Sequence, residues 1–92
     1  MATILCVDDE PAIRTVLQTM LQRAGHTVRV ASGAGDALRA LEQEPVDLII
    51  SDYRMPGISG LEFLALLQTE GHDVPLIMLT GHASIDHAVA SI

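Results

Sequence analysis

The sequence predicts an α/β fold built on a doubly wound parallel β-sheet. Short apolar runs alternate with segments of helical period four times along the 92 residues. Most of these runs are continuously hydrophobic, which is typical of strands covered on both faces. Strands that alternate with helices form parallel sheets through right-handed crossovers. We therefore expect one domain over residues 1–92 with a parallel sheet, and if the first and third strands are neighbours, the strand order is 2-1-3-4.

Four segments are predicted to form the strands of this sheet. They are Ile4–Val7, Val28–Ala31, Asp47–Ser51 and Pro75–Thr80. The first, third and fourth are apolar runs that suit buried positions. The second is short and contains an arginine among its apolar residues, which favours a place at the edge of the sheet.

The first two predicted helices follow the first two strands. The first opens with Pro11 in its first turn and ends at Gly25. The second starts near Ala34 and is stopped by Pro45. Apolar residues recur at steps of three and four in both helices, and they define the faces that pack on the sheet: Ile13, Val16, Leu17, Met20, Leu21 and Ala24, then Ala34, Ala37, Leu38 and Leu41.

The third predicted helix begins at a capping box, in which Ser59 is followed three residues later by Glu62, and it ends near Gly71. A fourth helix is predicted from Ala83. It carries no Gly, Pro or cation that would stop it, and its apolar stripe still continues at Ile92. We interpret the domain as incomplete at its C-terminus.

Composition limits the partners that this chain can bind directly. The formal net charge is −7, with five arginines and no lysine. This balance argues against nucleic acid and anionic membranes, and it suits a divalent cation or a basic protein surface.

No apolar run approaches the ~18 residues of a membrane span, and no leader is evident, so we expect a cytoplasmic protein. Arg14, Arg23, Arg29 and Arg39 are interpreted as scattered surface charges.

Three aspartates follow two of the predicted strands. Asp8 and Asp9 come directly after the first strand, and Asp52 comes directly after the third. With the order 2-1-3-4 these acids meet at a topological switch point, where ligands bind in open parallel sheets. Two carboxylates ~5 Å apart repel by about 3 kcal/mol at an effective dielectric of ~20. A bound divalent cation relieves this repulsion, and magnesium suits a few carboxylates completed by water and phosphate.

A carboxylate beside magnesium can attack a phosphoryl group and form an aspartyl phosphate. Asp52 is the predicted nucleophile, because it stands alone on its strand and a Pro/Gly-containing loop follows it. Thr80 ends the neighbouring strand, and its hydroxyl is placed to hydrogen-bond a phosphoryl oxygen on Asp52.

Three segments together resemble the receiver domain of bacterial two-component response regulators. They are Leu5–Glu10, Asp47–Gly60 and Pro75–His82, and the resemblance extends over the entire chain. It implies a flavodoxin-like receiver fold. It also implies that the protein is phosphorylated and acts in signal transduction. Such a domain is regulatory and not an enzyme, although it takes part in its own phosphotransfer and dephosphorylation.

The resemblance also implies roles for individual residues. Asp52 would accept a phosphoryl group from a phosphohistidine on a sensor histidine kinase or phosphotransfer protein. Asp9 and Asp52 would bind magnesium directly, with the backbone carbonyl of Arg54 as a third ligand and Asp8 acting through water. Thr80 would be the switch hydroxyl, and an output domain would lie beyond the C-terminus.

The sequence departs from the receiver pattern at its end. The fifth strand and helix, with the lysine of that strand, are missing, and this would leave the fourth strand as an exposed apolar edge available for dimerisation. Two alternatives stay open. One is an interaction module that works without phosphorylation. The other is a magnesium-dependent phosphohydrolase with an aspartate nucleophile, although the second acid expected two residues after Asp8 is Glu10.

Overall fold

The computed structural model describes residues 2–55 and 57–79, which form a parallel sheet flanked by helices. Thr80 and the helix predicted from Ala83 lie outside the described residues. None of the described helices is both long enough and apolar enough to span a bilayer. In chain order the elements are β1 (Thr3–Val7), α1 (Pro11–Arg23), β2 (Thr27–Ala31), α2 (Ala34–Gln43), β3 (Leu48–Asp52), β4 (Arg54–Met55), β5 (Ile58–Ser59), α3 (Gly60–Thr69) and β6 (Leu76–Leu79).

The main sheet has the order β2-β1-β3-β6, and all of its pairings are parallel. Because β6 is the fourth strand of the prediction, the predicted order 2-1-3-4 is confirmed. The register aligns Val7 of β1 with Ser51 of β3, and Asp52 of β3 with Leu79 of β6. The carboxyl ends of the two central strands therefore meet at one edge. Dimerisation through the fourth strand stays a prediction.

The alternation of side chains along the central strands divides the core into two layers. Leu5 and Ile49 face one layer, which also contains Phe63 of α3 and residues of α2. Ile4 and Ile50 face the other layer, in which α1 supplies most of the helical residues. Successive residues of a strand point to opposite faces, so a continuous apolar run supplies both layers. The face predicted for α1 is correct at Leu17 and Leu21, whereas Val16 is 43% exposed.

Two helices end in the same glycine motif. Gly25 follows α1 with φ +94°, and Gly71 follows α3 with φ +80°. The next residue donates its amide back to the last turn: His26 to the Leu21 carbonyl at 3.1 Å and His72 to the Leu67 carbonyl at 2.9 Å. This pattern is a Schellman motif, which requires a residue with positive φ. The predicted helix ends at the two glycines are therefore confirmed.

The loop after β3 is more ordered than the sequence indicated. Arg54 pairs with Ser59 and Met55 pairs with Ile58, which makes β4 and β5 a short antiparallel ladder. Strands of two residues carry too little periodicity to be read from sequence. The ladder ends at Ser59, where both hydrogen bonds of the predicted capping box are present. The Ser59 hydroxyl accepts from the Glu62 amide, and the Glu62 carboxylate accepts from the Ser59 amide.

Arg29 is not the free surface charge that the sequence suggested. From β2 its guanidinium donates to the Ala40 carbonyl at 2.9 Å and to the Gln43 side chain at 3.3 Å, and it lies 3.9 Å from a Glu44 oxygen. Helix α2 has no basic residue in its last turn. Arg29 therefore supplies, from a neighbouring strand, the donor and positive charge that a helix C-terminus lacks.

Candidate metal centre

Three carboxylates lie together at the carboxyl edge of the sheet. Asp8 and Asp9 follow β1, and Asp52 is the last residue of the adjacent strand β3. Each contributes a carboxylate oxygen, and these oxygens all lie within 4.8 Å of one another. The edge is the switch point of the sheet, because the chain leaves β1 toward β2 on one side and leaves β3 toward β6 on the other.

Asp8 is the buried member of this group. Its residue is 4% exposed, and one carboxylate oxygen accepts a hydrogen bond from the Glu10 amide at 2.8 Å. Burial raises the pKa of the Asp8 carboxyl above its ordinary value, and the Glu10 amide bond acts in the opposite direction. The negative charges of Asp52, Asp9 and Glu10 add to the increase in pKa. The ionised form of Asp8 is therefore held at an energetic cost.

No arginine forms an ion pair with the three carboxylates in the part of the chain that the structure describes. The ion pairs found there are Arg29 with Glu44 and Arg39 with Asp36, and both lie away from the three aspartates. Asp9 is exposed and Asp52 is half-buried, so their oxygens are open to a ligand.

The donor set fits magnesium. It consists of carboxylate oxygens, which hard divalent cations prefer, and it leaves positions for water or phosphate. Calcium takes six to eight oxygen ligands, more than these three side chains supply.

Arg14 is a residue of the site that sequence reasoning missed. It was read as a surface charge, but its Nη1 donates to the main-chain carbonyl oxygen of Asp8 at 2.6 Å, and the residue is half-buried. Arg14 lies in the first turn of α1, six residues after Asp8. A long side chain with hydrogen-bond donors in the first turn of a helix can reach back to the end of the preceding strand. The position of Arg14 in that turn was therefore the sequence feature that could have predicted this contact.

The backbone around Asp52 is fixed by its neighbours. The Tyr53 amide donates to the Leu79 carbonyl at 2.9 Å, which extends the pairing of β3 with β6 by one bond. The Gly60 amide donates to the Tyr53 carbonyl at 2.6 Å, so the first residue of α3 lies against the end of β3. The Ser51 hydroxyl donates to the Asp52 carbonyl at 3.1 Å.

Gly60 is the point where the helix and the strand end are closest. A Cβ at this position would lie 3.0 Å from the Asp52 carbonyl oxygen and 3.1 Å from both Tyr53 Cα and the Met78 sulfur. Two of these neighbours are backbone atoms, which cannot turn away as a flexible side chain can. Gly60→Ala is therefore expected to lower the free energy of unfolding by about 1–3 kcal/mol, as overpacking does, although alanine is the better helix former. Urea denaturation followed by circular dichroism measures the change.

Gly35→Ala is the matched control for that substitution. Gly35 is also in the first turn of a helix, but a Cβ there meets only the Arg39 guanidinium at 3.8 Å, an ordinary contact. This variant should be as stable as the wild type or more stable by up to about 1 kcal/mol. Equal effects at the two glycines would contradict the close approach at Gly60.

The other residues assigned from the resemblance are placed only in part. Arg54 lies in β4, two residues beyond Asp52, and is exposed. The role of its backbone carbonyl as a metal ligand stays a prediction. Thr80 lies outside the described residues, directly after Leu79, the residue that pairs with Asp52.

The fold and the site together define a parallel α/β domain with a candidate cation site, formed by three aspartates, at its switch point. The sequence profile of the response regulator receiver domain matches residues 4–92. The chain belongs to this family, whose members are the regulatory domains of two-component systems.

Relatives and solved structures agree with this membership. The transcriptional regulatory protein GlrR of Escherichia coli K12 is 40% identical over 90 residues, which are 98% of this chain and 20% of that protein. The DNA-binding transcriptional regulator NtrC of Proteus hauseri is 39% identical over 83 residues, 90% of this chain and 18% of that protein. The chain thus spans about a fifth of the length of these relatives. The response regulator TrrA of Thermotoga maritima, solved in complex with Mg²⁺-BeF, superposes with a TM-score of 0.80 at 37% identity, covering 99% of this chain and 79% of TrrA.

Proposed function

We propose that this domain is a phosphoryl-accepting switch in which Asp52 takes a phosphoryl group with the help of Mg²⁺. The observation that supports this most directly is the convergence of the Asp8, Asp9 and Asp52 carboxylates within 4.8 Å at the switch point of a receiver domain. The structure brings together, at one sheet edge, a candidate nucleophile and two further acids that can hold the cation it requires.

Asp52 suits the role of acceptor. It ends a central strand, its backbone is held by α3 and β6, and its side chain is half-buried but open at the edge. In the proposed step a carboxylate oxygen of Asp52 attacks the phosphorus of a phosphohistidine on a sensor histidine kinase or phosphotransfer protein. The new O–P bond forms as the P–N bond breaks, and the imidazole leaves with the electron pair and regains a proton. Thr80 is proposed to donate its hydroxyl to the phosphoryl group as the switch residue.

The cation would be held by Asp9 and Asp52 directly, by the Arg54 carbonyl as a third ligand, and by Asp8 through water. When bound, Mg²⁺ offsets the negative charge on the phosphoryl oxygens. The Mg²⁺-BeF complex of TrrA supports a magnesium-dependent site in this chain as well. The raised pKa of Asp8 supports it too, because a cation relieves the cost of keeping that carboxylate ionised.

The proposed output is transcriptional. The relatives GlrR and NtrC are transcriptional regulators about five times as long as the matched region. We infer that Asp52 controls an output domain of this kind, and that the protein acts in the cytoplasm, where a sensor kinase can reach it. Direct contact of this segment with nucleic acid is not part of the proposal, because the net charge is −7.

Intact mass spectrometry tests the proposal. The protein is incubated with a small-molecule phosphodonor and MgCl₂, and one added phosphoryl group is expected. The adduct should be lost with EDTA and in Asp52→Asn, but retained in Asp73→Asn, which removes the same charge from an exposed position before β6. Calorimetric binding of Mg²⁺ without any adduct would favour the phosphorylation-independent interaction module. An adduct that persists in Asp52→Asn would show that another residue is the acceptor.

A further inference from the structure

Arg14 links α1 to the turn that carries two of the three acids. Its Nη1 donates to the Asp8 carbonyl oxygen at 2.6 Å, and its own amide donates to the Glu10 carbonyl at 3.2 Å. Hydrogen bonds from charged donors are stronger than those between neutral groups, and the planar guanidinium of arginine is pre-organised, so it loses less freedom for each hydrogen bond that it forms. The bond therefore holds one particular oxygen of the turn in place.

The bonded oxygen belongs to the peptide group between Asp8 and Asp9. Because this group is planar, an interaction that fixes the carbonyl also fixes the orientation of the Asp9 amide and the point from which the Asp9 side chain departs. The other bonds of the turn act elsewhere: the Asp8 amide donates to the Ala31 carbonyl at 3.1 Å, and the Asp8 side chain accepts from the Glu10 amide. Among the described residues, Arg14 supplies the contact that the structure shows on this peptide oxygen.

Helix α1 offers little else to hold the turn. Its N-cap residue, Glu10, makes no side-chain capping bond, and its first turn contains no acidic residue. Pro11 follows directly and has no amide hydrogen to donate. Asp9 itself is exposed, so packing does not restrain it.

We propose that Arg14 is a positioning residue for cation binding, which holds the Asp8–Asp9 peptide so that the Asp9 carboxylate points into the cluster with Asp52. This inference rests on the proposed function, because it assigns Arg14 to the same magnesium site. Arg14 makes no ion pair with the three carboxylates in the described part of the chain, so it does not compete with a metal for their oxygens.

Charge and position have opposite effects on metal affinity, and this makes the proposal testable. If Arg14 were only a nearby positive charge, its removal would make the site more negative and tighten Mg²⁺ binding. If it positions Asp9, its removal weakens binding. Arg14→Met keeps the apolar part of the side chain but loses the hydrogen-bond donors. Arg14→Lys keeps the positive charge and an ammonium group that can still donate to the Asp8 carbonyl oxygen.

Isothermal titration of each folded variant with MgCl₂ at constant ionic strength gives the result. We expect the Kd to rise about tenfold or more in Arg14→Met, by less in Arg14→Lys, and not at all in Arg23→Met, an exposed arginine in the last turn of the same helix. An unchanged or lower Kd in Arg14→Met would overturn the inference even if that variant is less stable to urea. If Arg14→Met does not fold, Arg14→Leu, which also lacks the donors, takes its place, and an unchanged or lower Kd there overturns the inference. Failure of the wild type itself to bind Mg²⁺ would overturn the proposed function and this inference with it.

Discussion

Asp8→Asn is expected to make the metal-free protein more stable and to remove most of its stabilisation by Mg²⁺. Asparagine has the same shape as aspartate, and its side-chain oxygen can still accept from the Glu10 amide, as the Asp8 carboxylate does at 2.8 Å. Asp8 is a residue that is only 4% exposed. The substitution removes its negative charge, which lies within 4.8 Å of two other carboxylates. The expected gain in the free energy of unfolding at pH 7 is roughly 1–2 kcal/mol, less than the full Coulomb energy because Asp9 is solvated.

The pKa of Asp8 sets how this gain depends on pH. Its pKa in the folded state is raised above the ordinary value of 3.8, mainly by burial. The folded state therefore binds the proton more tightly than the unfolded chain does, and the stability this contributes is lost as the pH rises through the folded pKa. The difference between Asp8→Asn and the wild type should accordingly be small at acidic pH and grow toward neutrality. Urea denaturation at a series of pH values measures it.

Magnesium should reverse the order of the two proteins. A ligand that binds only the folded state stabilises it by about 2.7 kcal/mol at one hundred times its Kd. At that MgCl₂ concentration the free energy of unfolding of the wild type should rise by this amount. That of Asp8→Asn should rise much less, because the site has lost one of its three negative charges. Thermal melts with and without MgCl₂ show whether the curves cross.

Asp73→Asn is the control for net charge, since Asp73 is exposed and precedes β6 outside the cluster. It should keep the response to Mg²⁺ and leave the metal-free stability nearly unchanged. Lower metal-free stability of Asp8→Asn relative to the wild type would contradict the electrostatic account of the cluster, because it would mean that the Asp8 charge is favourable there.

Phe63→Ala is expected to have the largest effect on stability, a loss of about 3–5 kcal/mol. Phe63 has no exposed surface and lies in α3, within the core layer that contains Leu5 and Ile49. Phe63 is the one aromatic residue among the buried residues that the structure describes, so no second buried ring is available to fill the space. A domain of this size has a total stability of only about 5–14 kcal/mol, so the loss is a large part of it.

Leu61→Ala tests whether this loss comes from burial. Leu61 lies two residues earlier in the same helix and is 56% exposed. Its truncation should change the free energy of unfolding by only about 0.5 kcal/mol or less. Urea midpoints of the two variants give the comparison, and similar losses at both positions would indicate that Phe63 does not anchor α3 to the sheet.

The parts of the fold that were predictable are those with strong local signals. Continuous apolar runs located β1, β3 and β6, and the glycines and the capping box located helix ends. The strand order followed once the first and third strands were taken as neighbours, and the grouping of the acids followed from the strand order. These features depend on residue type and spacing, which a single sequence contains.

The features that were missed depend on contacts between distant segments. Arg29 and Arg14 were interpreted as surface charges, because no local pattern shows that one reaches α2 from β2 and the other reaches the Asp8 carbonyl. The β4–β5 ladder was missed because its strands have two residues each. The close approach at Gly60 was hidden for a similar reason: the helix packs on Asp52 only in three dimensions.

The division of the core by the sheet has a consequence for combining substitutions. Phe63 and Leu67 belong to one layer, and Leu17 and Leu21 belong to the other. Residues without shared neighbours change stability independently, so substitutions on opposite layers should add, whereas those within a layer should not. The strands β1 and β3 supply fully buried residues to both layers, so sequence variation in these two strands is constrained from both sides at once.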